Sequence, residues 1–224
     1  MGMIDLDGWL ERYVSLLKET FGERVWFAGL QGSYGRGDAD EGSDIDMVLI
    51  LETLCAEDIG TYRDMLDRLE HREMVCGFLA GRREVQNWES SDLFQFCHDT
   101  TPLVGSLDSI LEKVDAEAVD RAIRTGACNL YHGCVHNMLF EQDAGILREL
   151  TKAATFVIRA RVFREQGCFC RGLQELSRHA GPGDREIVEA YRQLKHEGIW
   201  DFSGGSARLF SWVQGILQTP EASV

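Results

Sequence analysis

Residues 30–52 read LQGSYGRGDADEGSDIDMVLILE: a glycine-rich turn, then two carboxylates one residue apart at the head of an apolar run. Side chains two apart in a strand share a face, so Asp44 and Asp46 project together while Ile45 and Met47 turn to the other side. Two like charges on one face repel, and a divalent cation relieves the repulsion. Mg²⁺ is commonly held by one or two carboxylates together with phosphate oxygens of a ligand. Gly32 and Ser33 follow the apolar stretch 25–30, where a glycine lets backbone approach a ligand and exposed N–H groups can hold phosphate oxygens. The Ser33 hydroxyl adds a donor, and Gly35, Gly37 and Gly42 let the loop bend back toward the carboxylate pair.

Working outward, the spacing of Trp9, Leu10, Tyr13, Val14, Leu17 and Phe21 predicts a helix over 7–21 with Gly22 as its cap. The apolar runs 25–30, 44–52 and 74–81 predict three strands, the first two as a hairpin-like pair, with a helix over 56–71 presenting Ile59, Tyr62, Leu66 and Leu69. Residues 82–111 mix short apolar patches with Pro102 and Gly105 and are read as a short helix and an edge strand. Beyond residue 113 the periodicity is helical, in segments 115–141, 144–166, 171–180, 184–197 and 204–218 broken at GPG (181–183) and GIWDFSGG (198–205). The expectation is an α+β protein with a mixed sheet and helices over 1–112, followed by an all-α helical bundle over 113–224.

The chain has 224 residues, of which 44% are hydrophobic, enough for one large domain or two small ones. No apolar run approaches a membrane-spanning length, and the first residues lack the basic start of a leader, so the expected setting is cytoplasmic. Seven scattered cysteines suit reduced thiols. A formal net charge of −14 repels phosphate backbones at long range and disfavours nucleic acid as a partner, while leaving room for a nucleotide in a local, metal-neutralised pocket.

The order of a strand, Gly32-Ser33, ten residues, Asp44-Ile45-Asp46, a strand and a helix resembles the signature of the polymerase-β-like nucleotidyltransferases over residues 25 to about 80. The resemblance implies ATP or another nucleoside triphosphate as donor, two Mg²⁺ ions on Asp44 and Asp46, and β- and γ-phosphates on Gly32 and Ser33. Arg36 is a further candidate phosphate contact, because a guanidinium suits phosphate. The implied reaction is in-line attack at the α-phosphorus with release of pyrophosphate. The small domain followed by helices also looks like the aminoglycoside nucleotidyltransferases. That architecture implies an acceptor hydroxyl on a small molecule or a protein, without identifying it or the oligomeric state.

One part of the family pattern is missing. A third carboxylate is expected near the start of the strand after the helix, where this chain has Cys76 or Gly77; Glu73, Asp92 and Asp99 are the nearest candidates. Lack of a general base slows deprotonation of an acceptor by about 10²–10⁴-fold without preventing nucleotide binding. The competing reading is therefore a non-catalytic nucleotide-binding or antitoxin-like interaction module.

Other motifs carry less. Counted from Asp38, a calcium loop needs Gly where Ser43 stands and Glu where Leu49 stands. Cys128, His132 and His136 recur every four residues but read as a core helix with tolerated histidines. Cys168 and Cys170 are too close for a Cys-x-x-Cys clamp and read as packing residues. Trp88, Phe94 and Phe96 could stack on a base or belong to the core.

Overall fold

The computed structural model describes residues 4–40, 42–197 and 201–219, so residues 198–200 of the expected second break lie outside the described residues. The chain divides into two compact units, Met1–Val114 and Asp115–Val224.

In the first unit, helix α1 (Leu6–Phe21) starts under an Asp5 side-chain cap and ends at Gly22. Strands β1 (Val25–Gln31) and β2 (Ile45–Leu51) pair antiparallel, with Gln31 opposite Asp46. Between them the expected loop contains one short helix, α2 (Gly32–Arg36). Helix α3 (Ala56–Leu66) is shorter than its periodicity suggests. The chain turns at His71, which has φ 56°, and Ile59 is left exposed while Leu69 is buried beyond the helix end.

Strand β3 (Val75–Gly81) then runs parallel to β2, as a strand–helix–strand crossover requires. Residues 82–111 hold more helix than expected: α4 (Arg82–Gln86), α5 (Ser90–Asp99) and α6 (Asp108–Leu111), together with the edge strand β4 (Thr101–Val104). Pro102 fits that edge, since an edge strand leaves one side of the ladder unpaired. The sheet order is β3-β2-β1-β4.

Alternation along β2 sorts the core into two layers. Ile45, Met47, Leu49 and Leu51 pack with Tyr13, Leu16 and Leu17 of α1, and with Met65 and Leu66 of α3. Val48 and Ile50 face Val85, Leu93, Cys97 and Ile110 on the α4–α6 side. Asp46 belongs to the second face by the period of two, at the end where the apolar layer stops.

The second unit is helical among the described residues: α7 (Ala116–His136), running into a π turn over Asn137–Glu141, α8 (Ala144–Gln166), α9 (Leu173–His179), α10 (Pro182–Glu197) and α11 (Phe202–Gln218). Asp115, Asp143 and Asp201 cap α7, α8 and α11 with side-chain oxygens. Gly181-Pro182-Gly183 opens α10 rather than merely interrupting helices, because proline at a first helical position loses no hydrogen bond. Leu130, Ile158, Leu176, Val188, Leu209 and Val213 meet in its core.

Candidate active site

The register places three strand residues in a row across the end of the sheet: Gln31 on β1, Asp46 on β2 and Cys76 on β3. All three lie on the face toward α5, since Val48 and Phe78, each two residues further along, point into that layer. Asp46 is half-buried and Asp44, just ahead of the strand, is exposed.

Gly32 closes directly on this row. Its φ is 68°, and a Cβ there would fall inside the van der Waals envelope of Asp46 Oδ2. Only a residue without a side chain brings the turn's backbone against this carboxylate. The turn is also tied to its surroundings. Gln31 Nε2 donates to Phe96 O at 3.1 Å and to Thr100 Oγ1 at 2.6 Å, while Thr101 Oγ1 donates to Gly35 O at 3.5 Å.

Arg36 is engaged within the protein. Its NH1 donates to Asp99 Oδ2 at 2.7 Å and its Nε lies 3.6 Å from Asp38 Oδ1, with the guanidinium side chain only 9% exposed. This pair anchors the end of α2 to the end of α5. Upstream of Asp44, the Asp40 backbone N–H donates to Ser43 Oγ at 2.8 Å and Gly42 N–H donates to Asp40 Oδ1 at 3.1 Å, so the loop closes on itself before the carboxylates.

The three nearest carboxylates take separate positions. Asp99 is the partner of Arg36. Glu73 sits in the turn before β3 with its side chain 69% exposed. Asp92 lines an apolar cavity with Phe78, Val85, Trp88, Leu93 and Phe96. The side chain beside Asp46 on β3 is therefore Cys76, which is exposed. Position 77 cannot carry a side chain, because φ there is 139° and a Cβ would collide with the Met47 backbone of the adjoining strand.

The aromatic residues divide. Phe78 makes edge contacts with Trp88 and Phe96, at centroid distances of 5.7 and 5.1 Å, and these rings wall the cavity. Phe94 turns away into the core. Among the described residues, the Cys128, His132 and His136 ligand atoms do not gather at coordinating distance. Gln31 and Thr100 were missed in sequence because a polar residue ending an apolar strand and a threonine closing a helix carry no spacing signal.

Residues 10–74 match the family model of the nucleotidyltransferase domain. Over that segment the chain is similar to a nucleotidyltransferase domain. Its fold is similar to that of spectinomycin adenyltransferase AAD(9) from Enterococcus faecialis, solved with ATP and spectinomycin, with a TM-score of 0.59, 13% identity, and coverage of 93% of this chain and 99% of that one. A comparison with curated protein sequences gives no significant match. The fold likeness extends beyond that segment into the helical unit, as the aminoglycoside nucleotidyltransferase architecture implies. Among the described residues, no helix is long and apolar enough to cross a membrane.

The donor set suits a hard cation. Two carboxylates two residues apart, one exposed and one half-buried, offer oxygen ligands of the type Mg²⁺ takes.

Proposed function

We propose that the chain transfers a nucleotidyl group, AMP from ATP, to a hydroxyl of a small molecule or a protein. The observation that supports the proposal is the seating of the Gly32 turn against Asp46, because it sets the turn's backbone beside one member of the Asp44–Asp46 pair. Asp44 and Asp46 hold the divalent ions, and the Gly32 and Ser33 N–H groups with the Ser33 hydroxyl take the β- and γ-phosphates. Arg36, already held by Asp99 and Asp38, shapes the cradle from behind, and direct contact with phosphate becomes its lesser role. Mg²⁺ on such a pair supplies charge neutralisation for the entering and leaving oxygens of an in-line displacement. A cytoplasmic setting, where ATP and Mg²⁺ are at hand, goes with this reading.

The ATP and spectinomycin in the similar adenyltransferase support an ATP donor and a small-molecule acceptor. With Cys76 beside Asp46, the base for the acceptor hydroxyl comes from outside this strand row, either from the acceptor itself or from another part of the chain. The same observation favours a second reading, a nucleotide-binding or interaction module without turnover.

Pyrophosphate release from ATP and Mg²⁺ separates the two. The test panel is aminoglycosides, lincosamides and cell metabolites, with Asp44→Asn beside wild type. Release that disappears in the variant supports transfer. ATP binding with no carboxylate-dependent release from any acceptor supports the binding module.

A further inference from the structure

A second ligand cluster lies in the helical unit. The connection after α8 carries Cys168 and Cys170, and α9 carries Glu175 and His179 four residues apart, hence on one helical face. One ligand atom from each of these four residues lies within 4.8 Å of the other three. Four donors around a tetrahedral ion at Zn–S of about 2.3 Å and Zn–N or Zn–O of about 2.0 Å stand roughly 3.3–3.8 Å apart, so the cluster needs only a small contraction.

Two further features support ligation. Gln166, which ends α8, fixes the imidazole. Its Nε2 donates to the His179 carbonyl at 2.9 Å, which leaves its Oε1 as the acceptor facing His179 Nδ1 at 2.8 Å. Nδ1 therefore carries the proton, and the lone pair of the neutral ring is on Nε2. This is the outer-shell arrangement that orients a metal-bound histidine.

The cysteine loop is held independently of the four donors. Arg159, 2% exposed, donates from Nε to Cys170 O at 3.0 Å and from NH2 to Arg171 O at 2.9 Å. Its NH1 donates to Thr155 Oγ1 at 2.8 Å, which fixes the guanidinium on α8. A loop pinned by its carbonyls presents its thiols in one place.

We propose that Cys168, Cys170, Glu175 and His179 form a closed, four-coordinate structural zinc site that ties the α8–α9 connection to α9. Two thiolates and an imidazole select a borderline-soft cation over Mg²⁺, and four protein donors leave no position for a substrate. Binding releases the protons of the two thiols to solvent and changes no oxidation state.

The test uses the full chain without a histidine tag, reduced, equilibrated with Zn²⁺, passed through a desalting column and analysed for metal. The expected result is about one zinc per chain in wild type and in the exposed-thiol control Cys128→Ser, and close to none in Cys168→Ser or His179→Gln with unchanged circular dichroism. His179 is exposed at the end of α9, so its replacement leaves the core intact. Gln166→Ala should weaken zinc binding by about 10–100-fold while keeping the stoichiometry at high metal. Cobalt in place of zinc should give the intense visible bands of a tetrahedral ion and a thiolate charge-transfer band. Folded wild type that retains no zinc, equal retention in Cys168→Ser and His179→Gln, or a pale cobalt spectrum without thiolate absorption would each overturn the proposal.

Discussion

The carboxylate pair at the end of β2 and the sulfur–carboxylate–imidazole cluster beside α9, each proposed as a metal site, differ in the number and kind of their donors. Asp44 and Asp46 are hard oxygen donors, few in number, at an open sheet end beside a backbone turn. Cys168 and Cys170, on a loop fixed by a buried arginine, and Glu175 and His179, on α9, are four donors: two soft thiols, one borderline imidazole and one hard carboxylate. A site with few protein ligands keeps positions for phosphate oxygens and exchanges its ion freely. A site that supplies the whole coordination shell retains its ion and contributes to folding. On the two proposals, the number and softness of protein donors separate a reacting site from a structural one.

The largest effect should come from removing one charge of the open pair. Asp46→Asn should lower the rate of nucleotidyl transfer by about 10³-fold or more with little change in melting temperature, measured as pyrophosphate release under saturating ATP. Brief dialysis against a chelator should stop the same reaction, and Mg²⁺ should restore it, while the zinc content of the α9 cluster stays constant over that interval. Loss of both on one time course would break the contrast.

Arg159→Met should destabilise the chain by about 2–4 kcal/mol in chemical denaturation, because it removes a buried charge's three hydrogen bonds and leaves the Cys170 and Arg171 carbonyls to find new donors. Transfer at the sheet end should be unaffected in the folded fraction. Gly32→Ala acts in the other direction, with a backbone strain of about 1–3 kcal/mol and displacement of the Asp46 carboxylate. It should weaken ATP–Mg²⁺ binding by about tenfold or more and leave zinc in place.

How much of this was legible in sequence follows from how each part is encoded. The nearness of the Gly32-Ser33 turn to Asp46 could be read because strand periodicity sets the face of Asp46 and a short loop joins β1 to β2, whereas Asp44 stands just ahead of β2, outside that periodicity. The cluster beside α9 escaped because Cys168 and Cys170, judged alone, are a poor pair; the other two donors come from the next helix, and only the turn between α8 and α9 gathers all four. Arg36 is an intermediate case. Its chemistry suits phosphate, but its partner Asp99 lies 63 residues away across the sheet, a pairing no local pattern carries.

The fold shows the same division. Long amphipathic helices and apolar strands stood out, whereas 82–111 did not, since α4, α5, α6 and β4 are short and set by packing on the sheet. The end of α3 was overextended because Leu69 continues the apolar spacing past a chain reversal at His71.

The smallest effect concerns pH and lies away from both sites. Asp58 takes hydrogen bonds from Arg24 NH1 and NH2 at 2.9 and 2.6 Å, and from Cys55 N and Sγ at 2.9 and 3.0 Å. These hold its carboxyl well below the usual range, Arg24 contributing most. The stabilisation is therefore present above the unfolded value of about 3.9 and is lost as pH falls toward the lower folded value. Arg24 is half exposed, so solvent screens the pair and the effect is modest. Asp58→Asn should lower stability at neutral pH, and the difference from wild type should shrink as denaturation is repeated below about pH 4.

The most direct test of the sheet end as the nucleotide–metal site uses Cys76, the exposed thiol beside Asp46. Alkylation of individual cysteines would be followed by peptide mass spectrometry, with and without ATP and Mg²⁺. The expected result is strong protection of Cys76 that is lost in Asp46→Asn, with the exposed Cys55 and Cys128 labelled at the same rate throughout. Equal labelling of Cys76 under saturating nucleotide and metal, in a protein shown to bind ATP, would place the nucleotide elsewhere and contradict the account.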